Sequence, residues 1–479
     1  MVDFPQRVAL AAIIRFYGDP ARAWRQVFEL VPWRPHGLFG LITAGLALLM
    51  PIDAAGKLTV SICLVAVVPC VLALCRRTGR PGWYALLALP AMYGYTFLWG
   101  FVDNLLACPL FLLGLALADR SFDQQLGARS WFLLAGLGLL FYGVHLQIFF
   151  LFAGAVGWLA LVRRPGLRRL AIWLSPLAPG LALGMGVLGW IDLHAATVMT
   201  GYRQRLAAEA TRFAPPLDKL ARLPSTVFGA SGDGTHLLLA AVLLAVVGAL
   251  AVPRPVQAPG PAEQTRLFRT RFASLSAWVA LLYFILPEFS RGYLVAERLA
   301  PLAFLLAIPA LPCPPAARQR LAALLTAGLL VLHLVHTTTA FLSFAAETAG
   351  LRELLDETAP GQALAGLIYE PYTLEWSVPL LLHSAAYYQV FKGGRIHYSF
   401  AQFFNSPVTY RPGQNYEDAL LAEWDEWKPQ HFVYPRHARY YRYFLVRGGP
   451  ENLAAAFGPY LAQTRVRKAG RWYLVERLR

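Results

Sequence analysis

The sequence predicts an all-α polytopic membrane domain of about ten transmembrane helices followed by a C-terminal mixed α/β domain outside the membrane, and three observations predict it. Of 479 residues, 57% are hydrophobic and only 15% charged, a balance that excludes a disordered chain and opposes a soluble one. Apolar runs such as Leu58 to Leu74 and Leu321 to Val335 are long enough to cross most or all of a bilayer as helices. Charge is also unevenly placed: residues 1–345 hold 28 Lys+Arg and 14 Asp+Glu, while residues 346–479 hold 15 and 13 and are rich in Tyr, Trp and Phe.

Three regions follow in order. Residues 1–56 read as an external first loop with amphipathic or interfacial helices. The segment from His36 to Met50 is too short to span and ends in Met50-Pro51, and the pattern of Arg15, Arg22, Trp24 and Arg25 suits a helix lying at the membrane surface. Met1 is followed by Val-Asp-Phe-Pro and not by an apolar stretch, so a first transmembrane helix is expected to be missing ahead of it. Residues 57–345 read as the transmembrane domain, with spans near 57–75, 82–98, 101–118, 131–144, 146–162, 170–191, 235–252, 272–287, 297–312 and 321–344. Residues 346–479 read as a soluble extracytoplasmic domain, with strands at Leu364 to Tyr369, His431 to Tyr434, Phe444 to Arg447, Thr464 to Arg467 and Trp472 to Glu476, and helices at Val378 to Val390 and Pro450 to Ala462.

The formal net charge of +16 raises the question of nucleic acid, and its placement answers it. Basic clusters fall on alternate connections: Arg76, Arg77 and Arg80; Arg120 and Arg129; Arg163, Arg164, Arg168 and Arg169; Arg254, Arg266, Arg269 and Arg271; Arg318 and Arg320. By the positive-inside rule these are cytoplasmic loops, and no nucleic-acid partner is expected. The short loops around Gly100, around Gly143 and from Pro287 to Glu297 then face the other side, with the 192–234 loop and the C-terminal domain. The five cysteines lie in or at the ends of apolar segments and form neither a disulfide framework nor a zinc spacing. The absence of a Walker loop, a dinucleotide glycine pattern and HExxH argues against nucleotide-driven transport and zinc chemistry.

Several stretches, in their order and on the external side, resemble the GT-C fold of membrane glycosyltransferases, the relatives of protein O-mannosyltransferases and of the lipid A aminoarabinose transferase. Asp3-Phe4-Pro5-Gln6-Arg7 is similar to an Asp-x-Pro-x-His start of the first external loop, with Arg7 where that pattern has His. Trp99-Gly100-Phe101 running to Leu117, the Gly143-Val144-His145 turn, Pro287 to Gly292 running to Glu297-Arg298-Leu299, and Gly470-Arg471-Trp472-Tyr473-Leu474 resemble the same group. The resemblance implies transfer of a sugar from a polyprenyl-phosphate donor, at the outer face of a bacterial inner membrane, to a lipid, glycan or protein acceptor. Such transfer needs a carboxylate to take the acceptor proton and fixed positive charge for the departing phosphate.

The residues sort accordingly. Asp3 is the expected base; the alternative is a terminal Asp without a partner. Arg291 and Arg298 are the expected phosphate ligands, with Tyr293 as a further donor; alternatively Glu288 or Glu297 pairs with Arg291 or Arg298 to fix the loop. His145 is a substrate-binding or a structural residue at a helix end, and Asp103 and Asn104 line the cavity or cap the next helix. Arg203 and Arg205 belong to a basic external loop that is either a lid over lipid phosphate or a helix drawn to anionic headgroups. The aromatic pairs Tyr387-Tyr388 and Tyr440-Tyr441 stack on sugar rings or pack as core. No metal or cofactor is expected beside the lipid-linked donor. A transporter of lipid-linked sugars is the competing class; internal repeats and mid-membrane charges, which would mark it, are not evident. A non-catalytic envelope-assembly protein is the other.

Overall fold

The computed structural model describes residues 1–198, 210–251, 262–290, 293–312, 316–403 and 405–478. Nine short strands occur among them: β1 (Phe28–Leu30), β2 (Phe289–Ser290), β3 (Tyr293–Leu294), β4 (Ala363–Ile368), β5 (Arg395–Ile396), β6 (Val408–Tyr410), β7 (Tyr443–Arg447), β8 (Thr464–Ala469) and β9 (Trp472–Arg477). The rest of the ordered structure is almost entirely helical.

The first helix, Phe4–Arg15, opens with Pro5, whose missing N–H is harmless in a first turn. Val8 to Ile13 is an unbroken apolar run, and all six residues are buried. That run leaves the helix no continuous polar face for the membrane surface, and it is instead enclosed, packing on Leu38–Leu46 and Ala386–Lys392. Gln6 fastens it: Nε2 donates to Tyr398 O at 2.8 Å and Oε1 accepts from Phe400 N at 3.2 Å. Trp24, expected among headgroups, is fully buried and donates Nε1–H to Gly394 O at 3.0 Å. β1 pairs antiparallel with β6, with Glu29 opposite Thr409, so the start of the chain is knitted to residues near 400.

Four stretches, Ile52–Arg77, Val102–Gln124, Leu167–Trp190 and Arg318–Glu347, are long and apolar enough to cross a bilayer. Shorter apolar helices at Ala128–Val144, Leu146–Leu161 and Thr270–Ile285 accompany them. Val65, Phe132, Leu324 and Leu332 point outward and are exposed, a surface that water disfavours and lipid accepts. The chain is a multi-pass membrane protein.

Two expected spans differ. Residues 82–98 break into a 3-10 helix, Gly82–Ala88, and two single turns, Leu89–Met92 and Tyr95–Leu98. Pro90 lacks an N–H to donate, and Gly94 lies so close to the Val227 carbonyl that a Cβ would overlap it. Residues 297–312 yield only the nine-residue helix Leu299–Ala307, which passes into a 3-10 turn containing Pro309.

At the far end of the Val102–Gln124 helix, Asp119 is fully buried among arginines of the basic connections. Arg77 Nη2 lies 2.7 Å from Asp119 and 2.8 Å from Asp123, Arg271 Nη1 lies 3.1 Å from Asp123, and Arg163 pairs with both aspartates.

The C-terminal strands form one sheet of order β5-β4-β7-β9-β8, in which β4 is parallel to β5 and β7 and the other pairs are antiparallel. Phe444-Leu445-Val446 runs through its middle, fully buried, as a strand covered on both faces must. The stretch His431 to Tyr434, expected as a strand, forms parts of the turns Pro429–His431 and Tyr434–His437 instead, because Pro429 and Pro435 withhold ladder donors. Helix formation near 378–390 is confined to Ala386–Lys392, past Pro379, and the expected 450–462 helix is α-helical only over Pro450–Phe457. Tyr388, Tyr441 and Phe444 are buried core residues and do not offer faces to a sugar.

Candidate active site

One cavity of about 860 Å³ lies where the first helix, the Trp99–Phe101 turn, the helix junctions at His145 and Arg298, and loops near 398–406 and 425–428 meet. Asp3 occupies the N-cap position of the first helix, yet its side chain accepts no capping hydrogen bond from it. Its carboxylate faces the cavity, with Oδ1 3.4 Å from His383 Nδ1. The backbone holds it there: Val2 N donates to Leu98 O at 2.8 Å and Asp3 N to Trp99 O at 2.9 Å. That approach explains Gly100, whose φ is +76° and whose missing Cβ would sit 2.8 Å from the amide nitrogens of Asp3 and Phe4.

Arg7 lies one turn further on, its Nη1 3.0 Å from Asp103 Oδ2. Asp103, 1% exposed, stands behind the cavity wall and is also 3.4 Å from His36 Nδ1. His36 has φ +66°, a left-handed conformation costing about 1–2 kcal/mol for a residue with a Cβ. The conformation sets its ring edge-on to that of His145, with centroids 4.5 Å apart. Arg298 donates from Nη1 to Asn104 Oδ1 at 3.3 Å and to His145 Nε2, and its guanidinium lies 4.1 Å from the centre of the Phe101 ring. Arginine has no acceptor, so Nε2 of His145 must accept and its proton resides on Nδ1. Burial holds the His145 imidazolium well below its usual range, and His36, Arg298 and Arg7 push it the same way. Burial lowers His36 too, against the pull of Asp103. Both rings are neutral at pH 7, which leaves the guanidinium groups as the cationic part of this wall.

Arg212 and Lys428 add positive charge from other sides, and Asp425 and Glu426 supply carboxylates from the C-terminal part. Arg212 is anchored by backbone hydrogen bonds in both directions with Phe289, at 2.9 and 3.3 Å, and by its Cζ lying 4.7 Å from the centre of that residue's ring.

Of the residues expected from sequence, Asp3, His145 and Arg298 line this cavity and Asp103 backs it. Glu288 does not line it: the carboxylate pairs with both Nη atoms of Arg222 on the Pro216–Phe228 helix and not with Arg298. That fork on a neighbouring helix holds the carboxylate. Glu297 is buried, Oε2 has no hydrogen-bond partner, and burial pushes its carboxyl up to about 7. Tyr293 is the β3 residue opposite Ser290. Arg203, Arg205 and Arg291 lie outside the described residues. Sequence reasoning did not single out His36, His383, Asp425 and Lys428. His36 carries a signal, a histidine between Pro35 and Gly37 in a turn, whereas nothing local marks His383 as the neighbour of Asp3.

The sequence matches no protein-family model and no curated protein. The fold does match solved structures. ArnT from Cupriavidus metallidurans in the apo state aligns with a TM-score of 0.53, and ArnT from the same organism bound to undecaprenyl phosphate with 0.51. Each is 12% identical, and each alignment covers 99% of this chain and 93% of that one. The chain therefore has the fold of ArnT, a GT-C fold, as its short motifs lead one to expect.

Proposed function

We propose that the protein is a membrane glycosyltransferase that moves a sugar from a polyprenyl-phosphate donor to a lipid, glycan or protein acceptor at the extracytoplasmic face of a bacterial inner membrane. The observation that carries this reading is the composition of the main cavity: the Asp3 carboxylate faces the chamber that Arg7, Arg212, Arg298 and Lys428 also line. The fold of a protein crystallised with undecaprenyl phosphate supports the donor class.

In this reading the acceptor hydroxyl oxygen bonds to the anomeric carbon while its proton passes to the Asp3 carboxylate. The bond from that carbon to the phosphate oxygen breaks, and the electron pair stays with the polyprenyl phosphate. The added negative charge is met by the guanidinium groups of Arg298 and Arg7, already held in place by Asn104, His145 and Asp103. His383 orients the base. No metal ion is invoked.

The orientation rests on the Val102–Gln124 helix. Arginines of the basic connections gather at Asp119, about 24 Å along that helix from Asp103 at 1.5 Å per residue. With the basic end in the cytoplasm, the cavity and the C-terminal sheet lie outside.

The test is a pair of variants in detergent-purified protein. Arg298→Ala is expected to weaken undecaprenyl phosphate binding at least tenfold, on the scale of a lost charge-assisted contact. Asp3→Asn is expected to bind that lipid normally and to lose about 10²–10⁴-fold in transfer from undecaprenyl-phosphate sugars. Unchanged lipid binding by Arg298→Ala would remove the phosphate role.

A further inference from the structure

A second cavity of about 550 Å³ opens beside the first, and Glu426 and Trp427 line both. It sits at the carboxyl end of β4, lined by Ile368 and the residues that follow it to Leu374. The chain leaves β4 for β5 on one side and later returns in β7 on the other, and all three strands are parallel. That is a topological switch point, and crevices outside the carboxyl ends of parallel strands at such points are where α/β sheets bind ligands.

The chemistry of this cavity contrasts with that of the first. Among the described residues, Glu347, Glu370 and Glu426 line it with one cation, Arg471. Glu347 is held by Arg447 at 3.1 Å and Glu370 by Arg471 at 2.8 Å, so the carboxylates are fixed in place. Tyr372 and Trp427 are 54% and 48% exposed, and among the described residues neither ring packs on another aromatic ring. The backbone positions Trp427, its N–H donating to Asp425 Oδ1 at 3.0 Å. Three carboxylates against Arg447 and Arg471 leave a net negative charge, which disfavours a phosphate or a uronic acid. A lipid tail gains nothing from rigid carboxylates, and a membrane anchor would sit on a convex face. Flat apolar rings beside fixed acceptors instead fit a pyranose, which offers C–H faces for packing and hydroxyl or ammonium donors for carboxylates.

We infer that this cavity is a saccharide subsite for neutral or amino sugars, placed to hold the glycan part of the acceptor while Glu426 and Trp427 pass its reactive end to the first cavity. The acceptor role rests on the transferase reading above; the binding site itself does not.

The experiment is saturation-transfer NMR on the full-length protein in detergent, with three free disaccharides as probes: N,N′-diacetylchitobiose, its deacetylated diamine, and digalacturonate. Saturation transfer to the first two and not to the third is expected. Tyr372→Ala should reduce it at least fivefold while undecaprenyl phosphate binding stays at the wild-type level. Glu370→Gln should weaken the diamine more than the neutral sugar. No transfer to any probe, equal transfer to digalacturonate, or an undiminished signal in Tyr372→Ala overturns the subsite. Loss of sugar binding with normal lipid binding in the wild type would sink this inference alone; the reverse would sink the donor reading and leave the subsite standing.

Discussion

The Val102–Gln124 helix carries a buried aspartate near each end, and the two ends differ in how their charges are used. At Asp119, three arginines from three other segments pair with it and with the neighbouring Asp123. At Asp103, Arg7 and His36 approach at 3.0 and 3.4 Å, while Arg7 Nε and His145 Nδ1 make no hydrogen bond. The Asp103 end borders the large cavity. Burial of a charge is thus a poor marker of function by itself. The informative feature is hydrogen-bonding capacity left unused beside a chamber, since protein interiors otherwise satisfy nearly all of it.

The sharpest way to break this contrast is to remove each aspartate. Asp119→Ala removes the fully buried carboxylate that Arg77, Arg163 and Arg271 share, leaving them the Asp123 carboxylate, and is expected to cost about 3–5 kcal/mol of stability, read as a lowered melting midpoint in detergent. Asp103→Asn keeps the shape and an acceptor, so its melting midpoint should fall much less, by about 1–2 kcal/mol of stability, while undecaprenyl phosphate binding drops at least tenfold because Arg7 is no longer held. Equal melting losses with intact lipid binding in both variants would show two structural locks and no site.

The same contrast explains what could be read in advance. Apolar run lengths report the environment of each segment, so the long helices, and four of the five expected strands near their boundaries, are visible in the sequence. Alternating basic loops sort Asp3, His145 and Arg298 onto one side, and the structure brings them to one cavity. What periodicity cannot carry is which distant segments meet. The first helix looks like surface because its flanking arginines are visible and its partner, Ala386–Lys392, is almost the whole chain away. His383 becomes a neighbour of Asp3 only through that packing, and Gly100 looks like an ordinary turn glycine until the Asp3 amide is seen against it. Glu288 has the opposite history: its loop suggests a site, and Arg222, 66 positions away, removes it from one.

Glu297 is a third case, a buried carboxyl next to Arg298 in sequence with Oε2 unbonded. Burial lifts it from an ordinary 4.5 to about 7, so the folded state holds the proton more tightly than the unfolded chain. Folding then takes up a proton between those pH values, and this group's contribution to stability falls as pH rises from 4.5 towards 7. Glu297→Gln removes the dependence. The variant should be more stable than wild type at pH 8 by about 1–3 kcal/mol, with the difference closing below pH 5. A pH-independent difference in melting midpoint would mean that the carboxylate is compensated by Lys219 and Arg222, the cations that oppose its shift.

The smallest effect is expected at Glu288. Its pair with Arg222 joins side chains 28% and 45% exposed, and exposed pairs contribute about 0–1 kcal/mol. Glu288→Gln should therefore shift the melting midpoint by no more than that and leave undecaprenyl phosphate binding within twofold of wild type. A tenfold change in binding would return Glu288 to the donor site. It would also imply that the Arg222 pair opens when lipid enters, making a satisfied ion pair part of the site and removing the criterion that separates Asp103 from Asp119.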